Sequence, residues 1–310
     1  MYSINNDGGN RQFRKRKDYT VQEYECSGEG RTTTYEIFDG IQVIFMSFKT
    51  NDTFKPDPPA GDLIEISWCK RGRVECKFAN QTYTHASEGD FWIDSASLMP
   101  VEYDFPSGEF EAVTIYIDRS AFSQKSIEYF ALSGVNIQNC CKVLGLEENW
   151  YISRIDSRLH HIFQEMCNVE KTERIGYFRI KALEIMYYVD QLTRDTGREI
   201  TYYSKDQVEA VKRIWKRLIT HLDERCTIED LAKQEEISMS VLRNIFSQMY
   251  GAPPYTYLKK YKMNMAARLL QDKENKIGDV AGILGYTNAS KFAVAFRDVF
   301  GVLPKDYRKK

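Results

Sequence analysis

Two hydrophobic rhythms divide the chain. From about residue 19 to 120, apolar side chains recur at every second position in short runs. Ile64, Ile66 and Trp68 alternate with Leu63, Glu65 and Ser67; beyond Arg71-Gly72, Val74, Cys76 and Phe78 alternate with Arg73, Glu75 and Lys77. Period two on both sides of a polar, glycine-containing turn predicts a β-hairpin. Asp57-Pro58-Pro59, Glu88-Gly89-Asp90 and Pro106-Ser107-Gly108 add turns at intervals that suit a small antiparallel barrel. From about 150 to 192 the rhythm becomes helical. Leu159, Ile162, Phe163 and Met166 fall at i, i+3, i+4 and i+7, and Phe178, Ala182, Ile185 and Val189 make a second stripe widened by Leu183, Met186 and Tyr187. Such helices pack on the barrel, form a dimer seam, or do both, and the stripe is compatible with each. Residues 193–204 lose the periodicity and read as a linker. Residues 1–18, with Arg11, Arg14, Lys15, Arg16 and Lys17, read as a flexible solvated tail, or else as an arm that contacts phosphates.

After residue 205 the chain repeats itself. Phe246 is followed by Gly251, Pro254 and Tyr257, and Phe296 by Gly301, Pro304 and Tyr307, so F-x4-G-x2-P-x2-Y occurs twice at an offset of 50. Leu231-Ala232 matches Val280-Ala281 at an offset of 49. Shared spacing of this kind marks a duplicated structural unit. Each copy has the pattern of a helix-turn-helix. In the first, Thr227 and Asp230 form a capping-box start, with Ile228, Leu231 and Ala232 facing inward. Ser238 caps a second helix that buries Leu242, Ile245 and Phe246 and ends at Gly251. In the second copy Ile277, Val280 and Ala281 begin, Gly285 turns, and Asn288 caps a helix burying Phe292, Ala295 and Phe296. The stretch from Pro254 to Gln271 reads as one connecting helix, roughly 27 Å long. That length would hold two recognition helices close to the roughly 34 Å between successive major-groove faces of DNA. Lys259, Lys260, Lys262, Arg268, Lys273 and Lys276 lie on or near it and would attract phosphates.

Composition narrows the class. The 310 residues are 43% hydrophobic and 28% charged, enough for a real core, with a mean hydropathy of -0.50. No run approaches the ~18–20 apolar residues of a membrane span, and MYSINNDGGN lacks a secretory signal. Seven cysteines without a C-x-x-C pair read as reduced thiols, so a cytoplasmic location away from membranes is expected. The net charge of -1 hides an asymmetry: residues 1–200 carry 23 Lys and Arg against 31 acids, and residues 201–310 carry 20 against 13. Only the basic C-terminal third suits a polyanion. His85 stands alone in the strand region, and His160 and His161 are helical neighbours pointing about 100° apart, a poor metal set. No phosphate loop, dinucleotide fingerprint or nucleophile elbow occurs, so neither an enzyme nor a cofactor nor a metal is expected. A redox or metal sensor built on Cys140-Cys141 remains the alternative. A barrel enzyme tethered to DNA and a scaffold with an empty barrel are two further readings.

The residues from 205 to 308 resemble the AraC/XylS family of bacterial transcription regulators. The likeness is carried by LA at 231–232, IS at 237–238, LRNIF at 242–246, and above all LGYTNASKFAVAFRDVFGVLPKDYR at 284–308. The resemblance implies an α+β protein: an N-terminal cupin-like β-barrel with a helical extension, then an all-α pair of helix-turn-helix modules joined by a helix. The divisions would be a tail at 1–18, a sensing domain at 19–149, a dimerisation or packing segment at 150–192, the linker, and a DNA-binding domain at 205–310. Carried over residue by residue, Met239, Ser240, Arg243 and Asn244 would meet bases from the first module, and Ala289, Ser290, Lys291 and Val294 from the second. Arg243 suits a guanine and Asn244 an adenine, whereas the second helix has one long donor and mainly positions. Glu236 stands where the family usually has glycine, so its turn carries about 1 kcal/mol of left-handed strain or adopts another shape. Lys262 stands where the family usually has arginine. DLIEISWCKRGRVECKF and GDFWI are similar to the siderophore-responsive branch. A small-molecule effector would then meet Ile64, Ile66, Trp68, Val74, Cys76 or Phe78, with Lys70, Arg71 or Arg73 at the rim for an anion; a packed core predicts the same apolar set. Double-stranded DNA, RNA polymerase and a second copy of the chain are the partners the resemblance implies, and activation of transcription is the expected output.

Overall fold

The computed structural model describes residues 4–5, 11–56, 61–169, 174–222, 227–272 and 274–308. Asp57-Pro58-Pro59 and Lys273, singled out above, lie outside them, as does Cys226, one of the seven cysteines. The chain divides into two compact units, Met1–Tyr202 and Tyr203–Lys310.

The N-terminal unit is built on an antiparallel sheet. Its hydrogen-bonded path runs Tyr151–Arg154, Asp90–Ser95, Leu63–Lys77, Phe110–Asp118, Ile41–Lys49, Glu29–Phe38, Thr20–Tyr24 and Arg11–Lys15. The two end strands do not pair with each other among the described residues, so the sheet is not the closed barrel expected. Residues 11–15 are also not a tail: they form the last strand, paired with Thr20–Tyr24, and Arg14 lies 3.2 Å from Glu23.

The expected hairpin at 63–78 is a single strand of 15 residues. Opposite it, Glu111 pairs with Arg71 and Ala112 with Cys69, which leaves Lys70 as an extra residue, a β-bulge. Gly72 follows at φ +80°, where a Cβ would collide with the Glu109 carbonyl oxygen. What reads as a turn is therefore a bend. Beyond it the strand leaves Asp90–Ser95 and pairs with Thr82–Ser87 and Glu102–Asp104. One extra residue reverses the in-and-out order of every side chain after it. Ile64, Ile66 and Trp68 belong to one buried cluster, while Val74, Cys76 and Phe78 belong to another with Cys69.

Four helices cover the first of these faces. Ser157–Asn168 and Arg174–Asp190 were expected; Gln124–Ser133 and Ile137–Leu144 fall in the part of the sensing domain, after residue 120, for which no element was read. Ser123 and Asn136 cap the latter two, and Gly134 and Gly145 close them in the left-handed conformation. Leu159, Ile162, Phe163 and Met166, with Phe178, Ala182, Ile185 and Val189, are all buried with Ile64, Ile66 and Trp68. Both stripes thus serve the core of their own unit. Tyr187 and Ile180, seven residues apart on one helix, stay exposed. No helix among the described residues is long and apolar enough to cross a membrane.

The C-terminal unit is helical. Lys205–Thr220 starts on a capping box made by Ser204 and Gln207 and buries Val208, Val211, Ile214 and Leu218. It is followed by Ile228–Gln234, Met239–Tyr250, Pro254–Leu269, Ile277–Ile283, Ala289–Phe300 and the short Pro304–Tyr307.

Candidate nucleic-acid interface

The repeat seen in the sequence is a repeat of contacts. In the first copy the rings of Phe246, Tyr250 and Tyr257 lie 4.5, 5.8 and 5.2 Å apart pairwise. In the second, Phe296, Phe300 and Tyr307 lie 4.7, 5.3 and 5.3 Å apart. Gly251 and Gly301, at φ +84° and +74°, reverse the chain between the clustered rings, and Pro254 and Pro304 open the next helix. Tyr250 and Phe300, just before each glycine, complete the trios and were not in the spacing motif. Trp215 adds a fourth ring to the first copy alone, 5.5 Å from Phe246 and 5.2 Å from Tyr257.

The turns inside the modules also match. At Gly285, φ is +76°, with Gly285 N–H donating to the Gly282 carbonyl and Tyr286 N–H to that of Ala281 (both 2.9 Å). Glu236 takes φ +54°, with Glu236 N–H donating to Lys233 (3.2 Å) and Ile237 N–H to Ala232 (3.0 Å). The turn keeps its shape, and the glutamate accepts a left-handed backbone.

Packing then decides which side chains remain for a partner. On Met239–Tyr250 the buried positions are Leu242, Ile245, Phe246 and Met249. Ser240, Arg243 and Asn244 are exposed and Met239 is half-buried. Ser238 caps the helix by accepting from Val241 N–H at 3.3 Å. On Ala289–Phe300, Phe292, Ala295 and Phe296 are buried, whereas Ala289, Ser290, Lys291 and Val294 are exposed. Asn288 caps this helix through the N–H groups of Ser290 and Lys291 at 2.7 and 3.3 Å.

The connecting helix is sixteen residues long, Pro254–Leu269. Two of its bases are spent inside the unit. Lys259 reaches Asp298 at 2.7 Å, and Lys262 donates to the Leu222 carbonyl at 2.9 Å beneath the ring of Tyr286. Lys260, Arg268 and Lys276 are exposed.

Residues 231–310 match the family model described as a helix-turn-helix domain. This helical part of the chain is similar to that of AraC-like transcription regulators. A putative AraC-like transcription regulator of Streptomyces lividans is 36% identical over 83 residues, covering 27% of each protein. The lactose operon transcription activator of Staphylococcus xylosus is 24% identical over 77% of this chain and 81% of its own. Among solved structures, ToxT of Vibrio cholerae is 13% identical, covering 87% of this chain and 98% of that one, with a TM-score of 0.34. The chain spans well under two thirds of the length of the first curated relatives it matches.

The N-terminal unit contributes an interior cavity of about 30 Å³. Of the effector candidates, Val74 and Cys76 line it. Ile66 and Trp68 do not: they lie on the helix-covered face, and the bulge after them turns Val74 and Cys76 to the other; Trp68 lies 5.7 Å from Phe163. Phe78 packs beside the cavity, 5.6 Å from Trp150. Lys70 and Arg71 do not form its rim: both turn to Glu111, at 2.8 and 3.7 Å. The sequence reading missed the polar wall, Glu65, Ser67, Asp94 and Thr114. Glu65 is the direct cross-strand partner of Asp94, and Ser67 Oγ lies 2.8 Å from Thr114 Oγ1. Burial raises both carboxyls, Glu65 to about 8, and Glu65 pushes Asp94 further.

Burial also raises the thiols of Cys76, Cys140, Cys141 and Cys167, Cys140 to about 12, where it donates to Asp190 at 3.1 Å. Protonated thiols are poor nucleophiles and poor metal ligands. Among the described residues no three or more His, Cys, Asp or Glu converge as a metal site.

Proposed function

We propose that this chain is a cytoplasmic, sequence-specific regulator of transcription that acts as an activator and whose N-terminal unit, read as cupin-like, holds a small-molecule effector. The observation that carries the reading is the duplicated module with one face sealed by Leu242, Ile245 and Phe246 and the opposite face offering Ser240, Arg243 and Asn244. Arg243 is assigned to a guanine edge and Asn244 to an adenine edge, with Met239 and Ser240 beside them. Ala289, Ser290 and Val294 bring the second module against the groove, and Lys291 supplies its one long donor. Activation follows the name of the lactose operon activator, whose likeness extends over most of this chain, and implies contact with RNA polymerase. A homodimer is assigned to the face bearing Ile180 and Tyr187, exposed by 65% and 56%. The cysteine-sensor reading is disfavoured by the raised thiols.

Binding of the full chain to its selected operator and to single-base variants tests the assignment. Arg243→Ala should lose about 1–3 kcal/mol at one base pair and relax specificity there. Lys291→Ala should weaken all sequences nearly alike and flatten the salt dependence. A greater loss of specificity at Lys291 than at Arg243 refutes the division of labour, and no selected sequence at all refutes the function.

A further inference from the structure

The polar wall of the interior cavity is oddly supplied. Glu65 and Asp94 are 4% and 1% exposed, and among the described residues Glu65 Oε1 and Asp94 Oδ1 each lack a hydrogen-bond partner. Stranding a polar atom out of water costs on the order of 1–3 kcal/mol. The pair faces a cavity whose other walls include Trp92, Trp150, Phe105 and Phe110, and among the described residues no Lys, Arg or His lines it. Trp150 is held in place by its Nε1 donating to the Leu98 carbonyl at 2.9 Å.

Four properties define an occupant. It donates hydrogen bonds, since the unsatisfied atoms are acceptors. It is positive, since an anion meets two carboxyl groups. It tolerates aromatic faces, which attract cations. The part of it that enters is small, since about 30 Å³ admits no more than a group the size of one or two waters. An apolar molecule would leave the oxygens unpaired, and the donor set is too small for a metal. The geometry points to a site for a primary ammonium group, held between Glu65 and Asp94 under the tryptophan wall. This rests on the reading that the N-terminal unit binds the effector, and it names the effector's chemistry.

Binding is an exchange in which the cation enters and the carboxyl pair releases one proton, so the charge in the cavity is unchanged. The neighbouring groups do not supply that proton. Tyr116, opposite Glu65, and the Cys76 thiol are held neutral by burial and by the acids themselves. Tyr103 closes the remaining wall, and Glu75 and Asp104 are the other acids whose charge reaches Cys76.

The test is calorimetric titration and thermal unfolding of the full chain with ammonium, methylammonium and n-butylammonium chlorides. Sodium, potassium and tetramethylammonium chlorides at equal ionic strength are the comparison. The expected result is stabilisation by ammonium salts alone, with about one proton released per cation and an affinity rising roughly tenfold per pH unit from pH 6 to 8. A response to ammonium only identifies the free ion as the occupant, and an equal or stronger response to butylammonium identifies the end of an alkylamine. Glu65→Gln and Asp94→Asn should each weaken binding tenfold or more. Equal stabilisation by potassium or tetramethylammonium, no response to any salt, or full binding by Glu65→Gln overturns the site. If the variants do not fold, the proton release of the unaltered chain decides. Operator binding by the same preparation separates failure of this site from failure of the regulator reading.

Discussion

Glu236 and Gly285 occupy equivalent turns with unequal residues, and exchanging their characters should move stability in opposite directions. A non-glycine residue in the left-handed region costs about 1–2 kcal/mol, and Glu236 sits there at φ +54° with its side chain exposed. Glu236→Gly removes that strain but adds about 0.4–1 kcal/mol of unfolded-state freedom, a net gain of about 0.5–1 kcal/mol. The unit Tyr203–Lys310 should have an unfolding entropy near 0.2 kcal/mol per degree. The gain is therefore a rise of about 2–4 °C. Gly285→Ala meets the same strain at φ +76° and a collision besides, because the new Cβ would overlap the Leu222 carbonyl oxygen. That oxygen also accepts from Lys262 and is not free to withdraw. A loss of about 3 kcal/mol or more follows, which is a fall of over 10 °C. Scanning calorimetry of the full chain should show both variants moving one transition, in opposite directions. If Glu236→Gly lowers that transition, or Gly285→Ala leaves it in place, the account of the turn is wrong.

In the N-terminal unit, Gly72→Ala should destabilise by several kcal/mol, because the bend has φ +80° and no room beside the Glu109 carbonyl; urea unfolding measures it, and a neutral result refutes the bend. Glu65 binds its proton more tightly folded than unfolded, so in ammonium-free buffer its contribution is complete below about pH 4.5 and disappears as pH rises through about 8. Glu65→Gln should flatten the fall in stability between pH 5 and 8, and an unchanged slope in chemical unfolding would contradict that. Ile180→Glu should shift sedimentation toward monomer without altering thermal stability by more than about 0.5 kcal/mol, since the side chain is exposed; an unchanged dimer moves the interface elsewhere.

The C-terminal unit was legible because its constraints are local and occur twice. Capping residues, a glycine that must turn left-handed, a proline at a first turn and a 3.6-residue stripe all act within one or two helical turns, and the second copy checks the first. The outward placement of Ser240, Arg243 and Asn244 follows once Leu242, Ile245 and Phe246 are inside. The trio completed by Tyr250 and Phe300 was available to the same inspection, since an aromatic residue precedes the glycine in both copies. Trp215 was not, because its packing depends on where a separate helix docks.

In the sheet, period two tells which residues share a face only while the register is unbroken. Lys70 breaks it, so Ile66 and Trp68 meet helices while Val74 and Cys76 meet the interior. Alternation alone sets Glu65 and Ser67, which precede the break, opposite Ile64, Ile66 and Trp68, on what would be a solvent side. A sheet with one wet face would have put them there, but here both faces are covered, by the helix layer and by the continuation of the same strand beyond its bend. The opposition of Glu65 and Asp94 depends on pairing between strands far apart in sequence, and no local pattern carries it. Val74 and Cys76 could be taken from the alternation and the acids across from them could not, although the acids, not the apolar residues, decide what chemistry the cavity accepts.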